Sequence, residues 1–189
     1  MAAPETGART RILDAAYDLF SRRGIRGVGI DAVIAQSGVS RITLYRHFRS
    51  KQELVLAYLQ CREEQWTRAW LQAEVQQRAA GAQERLLAIF DVFDGWFHET
   101  RFEGCSFINV MLETADDRDN VYEASIAYLA GIRDFLQELA RGAGVAHPDD
   151  FARKWHILMK GSIVAAGEGD RDAAGRAKAM ARLLIAQHR

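Results

Sequence analysis

Residues 24–54 read GIRGVGIDAVIAQSGVSRITLYRHFRSKQEL, and the fold turns on this stretch. Ile30, Val33 and Ile34 recur at helical spacing, and Gly38 closes the run, because a glycine just past the last turn accepts the left-handed conformation that stops a helix. Ser40 stands where an N-cap is needed, its hydroxyl placed to accept from the amide of Ile42 or Thr43, and a short helix follows from Arg41 to Phe48. Two short helices joined by a glycine-containing turn make a helix-turn-helix. Ser50 caps the next helix, Glu53 completes its capping box, and Leu54, Leu56 and Leu59 begin its apolar face.

Working outward, Ile12, Leu13, Ala16, Leu19 and Phe20 define a first helix from Thr10 that ends at Gly24, just after Arg22 and Arg23. Residues 1–50 therefore form a three-helix N-terminal domain, and residues 51–189 form the rest. Longer helices are predicted over Ser50 to Ala79, Gln83 to Thr100, Asn120 to Arg141, Pro148 to Gly167 and Asp172 to Gln187, with a shorter one through Phe107 to Ala115. Breaks fall at Gly81, Gly104, the acidic stretch 116–119, Gly142 with Gly144, and Gly167 with Gly169. Only Pro4 and Pro148 interrupt a sequence rich in helix formers, and no alternating strand pattern stands out. The expectation is an all-α chain of about nine helices.

Of the 189 residues, 49% are hydrophobic and 26% charged, which fits a soluble globular protein and excludes disordered and collagen-like classes. No apolar run approaches the roughly 20 residues that cross a bilayer, and Met1 to Arg11 lacks the apolar stretch of a secretion signal. A cytoplasmic protein without a membrane partner is expected. Cys61 and Cys105 stand far apart and form no metal or disulfide spacing. The five histidines (His47, His98, His147, His156, His188) are scattered, and no glycine-rich phosphate loop follows a strand. Neither an enzyme nor a cofactor is expected.

The zero net charge hides an asymmetry. Residues 1–55 carry nine Lys/Arg against five Asp/Glu, a net of +4, and the remainder carries −4. A basic end on an otherwise acidic chain suits double-stranded DNA, since each cation near a phosphate releases condensed counterions.

Gly24, Gly38-Val39-Ser40, Thr43-Leu44-Tyr45, His47-Phe48, Ser50-Lys51 and Glu53-Leu54 together resemble the TetR family of transcriptional regulators over residues 9–60. The helix from Arg41 is short enough to lie in a major groove. Leu44 and Phe48, four apart, should face a small core with Phe20 and Val33, leaving Arg41, Ile42, Thr43, Tyr45, Arg46 and His47 toward solvent or DNA. Arg41 is the first candidate base reader, through O6 and N7 of guanine, and Arg46 the second. Thr43 is placed for a thymine methyl or a phosphate, Ile42 for a thymine methyl, and His47 for bracing a phosphate or the adjacent helix. The resemblance implies that Tyr45 and Lys51 clamp phosphates, with Ser40 at the edge of the same surface. Gly29 departs from the pattern, standing where many members carry a threonine whose hydroxyl meets a phosphate.

Fourteen of the eighteen aromatic residues lie beyond residue 55. Trp66, Trp70, Phe93, Trp96, Phe107, Met111 and Tyr122, with Asn109 as a polar anchor, are the candidate lining of a pocket for a small effector. The segment Gly104-Cys105-Ser106-Phe107-Ile108-Asn109 is similar to a motif of one subgroup of the family, and Cys105 beside a helix start opens a thiol redox-sensor reading next to that of a buried small hydrophobe. Phe151, Trp155, Leu158, Met159, Ser162 and Ile163, with Met180 and Leu184, fall at three-four spacing. They are the expected face of a homodimer, the family's arrangement being a four-helix interface; intramolecular packing is the alternative. The resemblance implies a ligand-responsive repressor on a near-palindromic operator. Coupling of effector to DNA is expected through the fourth helix, because it alone runs from Lys51 to Trp66 and Trp70. A protein-interaction module of the same fold without DNA binding stands beside this reading, because of Gly29.

Overall fold

The computed structural model describes residues 5–116 and 118–188. Residues 1–4, which begin the polar start and include Pro4, and Asp117 of the acidic stretch lie outside the described residues. Among the described residues every regular element is helical: α1 (Glu5–Arg23), α2 (Ile30–Ser37), α3 (Arg41–His47), α4 (Lys51–Arg62), a π-helical stretch (Glu63–Gln72), α5 (Ala73–Arg78), α6 (Ala82–Phe97), α7 (Ser106–Glu113), α8 (Asn120–Gly142), α9 (Pro148–Gly167) and α10 (Ala173–Gln187). Helical backbone continues without a break from α4 to α5, so the nine expected runs are all present.

Local chemistry sets the ends. Gly38 sits at φ +66°, a left-handed conformation that costs a side-chain-bearing residue energy, and its amide donates to Ile34 O, closing α2. Ser40 Oγ accepts from the amide of Thr43 at 3.1 Å and opens α3. Ser50 Oγ accepts from the amide of Glu53 at 3.1 Å, while the Glu53 carboxylate accepts from the amide of Arg49 at 2.7 Å. This pair of bonds satisfies donors that a helix start leaves orphaned. Asp119 does the same for α8, accepting from the amides of Val121 and Tyr122 at 3.0 and 3.1 Å.

The chain divides into two compact units. One holds the chain up to Glu63 together with Ser106–Ala127; the other holds Glu64–Cys105 together with the chain from Tyr128 onward. This differs from a division at residue 50. The reason in the first unit is that α4 shares a core with α1. Tyr58 is 1% exposed, its ring meets those of Tyr17 and Phe20 edge-on at 5.5 and 5.6 Å, and its hydroxyl lies 3.2 Å from Ser21 Oγ. Ile12, Phe20, Val33, Leu44, Phe48, Leu54 and Leu59 complete that core, and Phe107 and Val110 of α7 are buried in the same unit. Each such side chain contributes about 1.5–3 kcal/mol by leaving water.

In the second unit α10 packs on α9 and α6. Phe90, Phe93, Phe151 and Trp155 are buried, with Trp155 5.5 Å from Phe90 and stacked on Phe151 at 5.3 Å. This corrects the expected dimer face. Phe151, Trp155, Met159, Ser162 and Ile163 are buried inside their own chain, and Leu158 and Leu184 are half-buried. Three-four spacing marks the apolar side of a helix but not the body it meets. Of the expected set Met180 of α10 is left exposed, and the other large apolar side chains exposed on the two helices are Ile157 and Val164 of α9 and Leu183 of α10.

Candidate nucleic-acid interface

α3 is held by its two inward residues. Leu44 is fully buried and Phe48, its C-cap, is 1% exposed, so the opposite side of this two-turn helix faces outward. Ile42 is 77% exposed and Tyr45 42%. Ser40, Arg41 and Arg46 are exposed, and Thr43, His47 and Lys51 are half-buried. The outward set is therefore basic and aromatic, with one large apolar side chain in its midst.

The surroundings of three of these residues refine their roles. Arg41 forms an ion pair with Asp31 of α2, both side chains being exposed. A surface pair of this kind contributes at most about 1 kcal/mol, so a guanine edge or a phosphate can displace Asp31. The Thr43 hydroxyl lies 2.8 Å from Ser40 Oγ within the cap, which leaves the Thr43 methyl as its free group. His47 Nε2 is buried without a hydrogen-bond partner among the described residues, a placement that favours bracing over contact with DNA.

Lys51 opens α4 beside this surface. Burial lowers the pKa of its ammonium group, and the charge of Glu113 opposes that shift. No carboxylate lies within ion-pair distance of Lys51 among the described residues. A half-buried cation without a pair is a ready partner for a phosphate. Gly29, the N-cap of α2, provides no side-chain hydrogen bond there, and a Cβ on it would meet nothing within 4 Å.

Three contributors escaped the sequence reading. The Arg9 guanidinium of α1 lies 5.2 Å from the centre of the Phe48 ring, adding a cation behind α3. Asp31 partners Arg41. Most consequentially, α7 and the start of α8 belong to this unit: Glu113 accepts from the amide of Arg26 at 2.7 Å, and Asp119 accepts from Gln52 Nε2 at 2.7 Å. No local pattern signals contacts across 87 or 67 residues of chain.

The eight expected pocket residues are shared between the units. In the second, Trp66 and Trp96 lie 4.9 Å apart, Phe93 and Trp96 5.4 Å, and Trp66 and Trp70 5.5 Å. Both Trp66 and Trp70 sit on the π-helical stretch, where the sequence predicts ordinary α-helix; such wide turns recur at functional sites. In the first unit Phe107 is buried, Met111 and Tyr122 are half-buried, and Asn109 is exposed. That exposure corrects the reading of Asn109 as an enclosed anchor: on α7 the inward face is set by Phe107 and Val110. Cys105 is 6% exposed.

Among the described residues no cluster of His, Cys, Asp or Glu can hold a metal ion, and no helix is long and apolar enough to cross a membrane.

Comparison with known proteins agrees with this geometry. Residues 12–58 match the model for bacterial regulatory proteins of the tetR family. The chain is 44% identical over 57 residues to the HTH-type transcriptional activator FasR of Mycolicibacterium smegmatis, covering 30% of this chain and 26% of that protein. It is 41% identical over 51 residues to the HTH-type transcriptional regulator UidR of Escherichia coli, covering 27% and 26%. The chain thus matches only about a quarter of the length of these relatives. Over nearly full length it resembles the TetR-family regulator SCO4454 of Streptomyces coelicolor (TM-score 0.88, 28% identity, 97% of this chain and 96% of that one). A tetr-transcriptional regulator of Streptomyces avermitilis gives TM-score 0.84 at 27% identity, covering 96% and 97%.

Proposed function

Because this chain belongs to the TetR family of bacterial regulatory proteins, we propose that it binds a near-palindromic operator as a homodimer and releases it when a small apolar or amphipathic effector occupies the second unit. The family is one of transcriptional regulators, not enzymes. The observation that carries the proposal is the outward face of α3, Arg41, Ile42, Tyr45 and Arg46, with Lys51 at the adjacent start of α4. Arg41 and Arg46 read base edges, the Ile42 side chain and the Thr43 methyl meet thymine methyls, and Tyr45, Lys51 and the Ser40 edge hold phosphates.

Two such faces meet successive major grooves when the half-sites are one helical turn, ~34 Å, or a multiple apart. The exposed stripe of Ile157, Val164, Met180 and Leu183, with Gly161 allowing close approach, joins two copies. Exposed apolar stripes on two neighbouring helices are what an isologous four-helix contact buries. The aromatic set Trp66, Trp70, Phe93 and Trp96 forms the effector end, and the effector acts only to the extent that it prefers one of two states of the dimer. The proposed sign is repression; the relative FasR is named an activator, and reporter output from the bound promoter decides between them.

Selection of bound duplexes from a random pool tests the proposal. Enrichment of an inverted repeat supports it, and a pool that stays random after several rounds rejects it.

A further inference from the structure

One cluster of charge in the second unit is left unused by the DNA-binding account. His156 and Lys160 are one turn apart on α9 and therefore share a face. His156 is 3% exposed, and its Nδ1 has no hydrogen-bond partner among the described residues. Lys160 is half-buried, and Arg133 of α8 is close enough to both for its charge to act on them. Arg133 donates to the carbonyl of Leu129 at 3.3 Å, and neither cation has a carboxylate within ion-pair distance among the described residues. Two partly desolvated cations within electrostatic reach of a buried, unpartnered imidazole leave positive charge without compensation, which a fold tolerates at a cost.

The apolar surroundings are also defined. Cys105 is buried within electrostatic reach of Lys160, three residues after Phe102, whose ring lies 4.9 Å from that of Trp96. Trp155, next to His156, leads through Phe90 to Phe93 and Trp96 at ring separations of 5.5, 6.3 and 5.4 Å. Buried aromatic rings in contact with one another thus run from Trp155, beside His156, to Trp96. We propose that the effector is an organic acid with an aromatic or extended apolar body, its carboxylate held by Lys160 and Arg133 and hydrogen-bonded by His156, and its body lying along Trp96 and Phe93. The proposal rests on the ligand-responsive reading and narrows it to a ligand chemistry.

The test uses the full chain and three matched pairs of probes: benzoate, 2-naphthoate and octanoate, each against its primary amide. Thermal shift and tryptophan fluorescence report binding for wild type, Lys160→Met and Arg133→Met, each variant first checked for native helicity. Two cationic positions are tested in case one substitution disturbs folding. The expected result is that at least one acid binds ten-fold or more tightly than its amide, and that both variants abolish the difference. If acid and amide bind alike, if the variants keep the preference, or if none of the acids binds, the assignment is overturned. Operator binding measured without any probe is scored separately, so loss of this assignment is distinguishable from loss of the regulator reading.

Discussion

The carboxylate of Glu113, at the end of α7, accepts a hydrogen bond from the backbone amide of Arg26, 2.7 Å away in the turn that precedes α2. Gly24 in the same turn sits at φ +70°, and a Cβ there would stand 2.7 Å from Glu113 Oε1. The turn that aims the helix-turn-helix is therefore fastened to a segment more than 80 residues further along.

From this follows a non-additive pair. Gly24→Ala should destabilise the protein by about 1–3 kcal/mol, combining left-handed strain with displacement of an anchored carboxylate. Glu113→Ala should cost about 1 kcal/mol by removing this hydrogen bond, whose amide then turns to water. In the double variant the steric part of the Gly24 penalty vanishes, so denaturant titrations should give a sum smaller than that of the singles. Strict additivity contradicts the contact.

Gly29 caps α2 without a side-chain hydrogen bond and has open space around it. Threonine and glycine cap helices about equally well, so Gly29→Thr should leave stability within about 0.5 kcal/mol of wild type. The added hydroxyl should tighten DNA binding several-fold at unchanged sequence preference. Fluorescence anisotropy on one operator duplex measures it; unchanged or weaker binding removes Gly29 from the phosphate-facing edge.

Exposure separates two residues of α9 that are neighbours but one. Ile157→Asp should yield a single 21.2 kDa chain in sedimentation with near-native stability, because Ile157 is 66% exposed. Trp155→Ala should instead cost about 3–5 kcal/mol of folding free energy, since its indole is fully buried against Phe90 and Phe151. A dimer that survives Ile157→Asp and Met180→Asp together refutes the exposed stripe.

His156 gives a pH dependence with a definite sign. Burial, and then the charges of Lys160 and Arg133, lower its pKa from 6.5 to about 3. The unfolded chain therefore binds a proton that the folded chain refuses. The stabilisation from keeping this imidazole neutral is complete above pH 6.5 and is lost as pH falls from 6.5 toward 3, by up to about 1.4 kcal/mol per pH unit. Between pH 7 and 5 wild type should lose about 2 kcal/mol more than His156→Gln in urea titrations. Equal losses mean that the imidazole is not shielded.

Much of the fold was legible because its signals are local. Gly38, Ser40, Ser50 and Glu53 mark helix ends within a few residues, and Pro148 opens α9 as an N-terminal proline should. Apolar spacing placed Leu44 and Phe48 inward and so turned Arg41 and Tyr45 outward. Other features depend on which body a helix meets. Trp155 and Met159 read as a partner-facing stripe although they face their own chain, and the Arg41–Asp31 pair joins two helices whose approach no spacing encodes. The widening of the helix across Trp66 and Trp70 likewise has no mark in the periodicity.

The central claim, that α3 and the start of α4 present their cationic face to duplex DNA, is tested most directly by a salt-series titration of wild type, Lys51→Ala and Arg41→Ala on operator and unrelated duplexes. Lys51→Ala should weaken binding to both duplexes alike and reduce the magnitude of the log–log salt slope by about 0.9 per lost phosphate contact. Arg41→Ala should cost roughly 1–3 kcal/mol on the operator alone and relax preference at one base position. If both variants bind both duplexes as wild type does at every salt concentration, this face does not touch DNA.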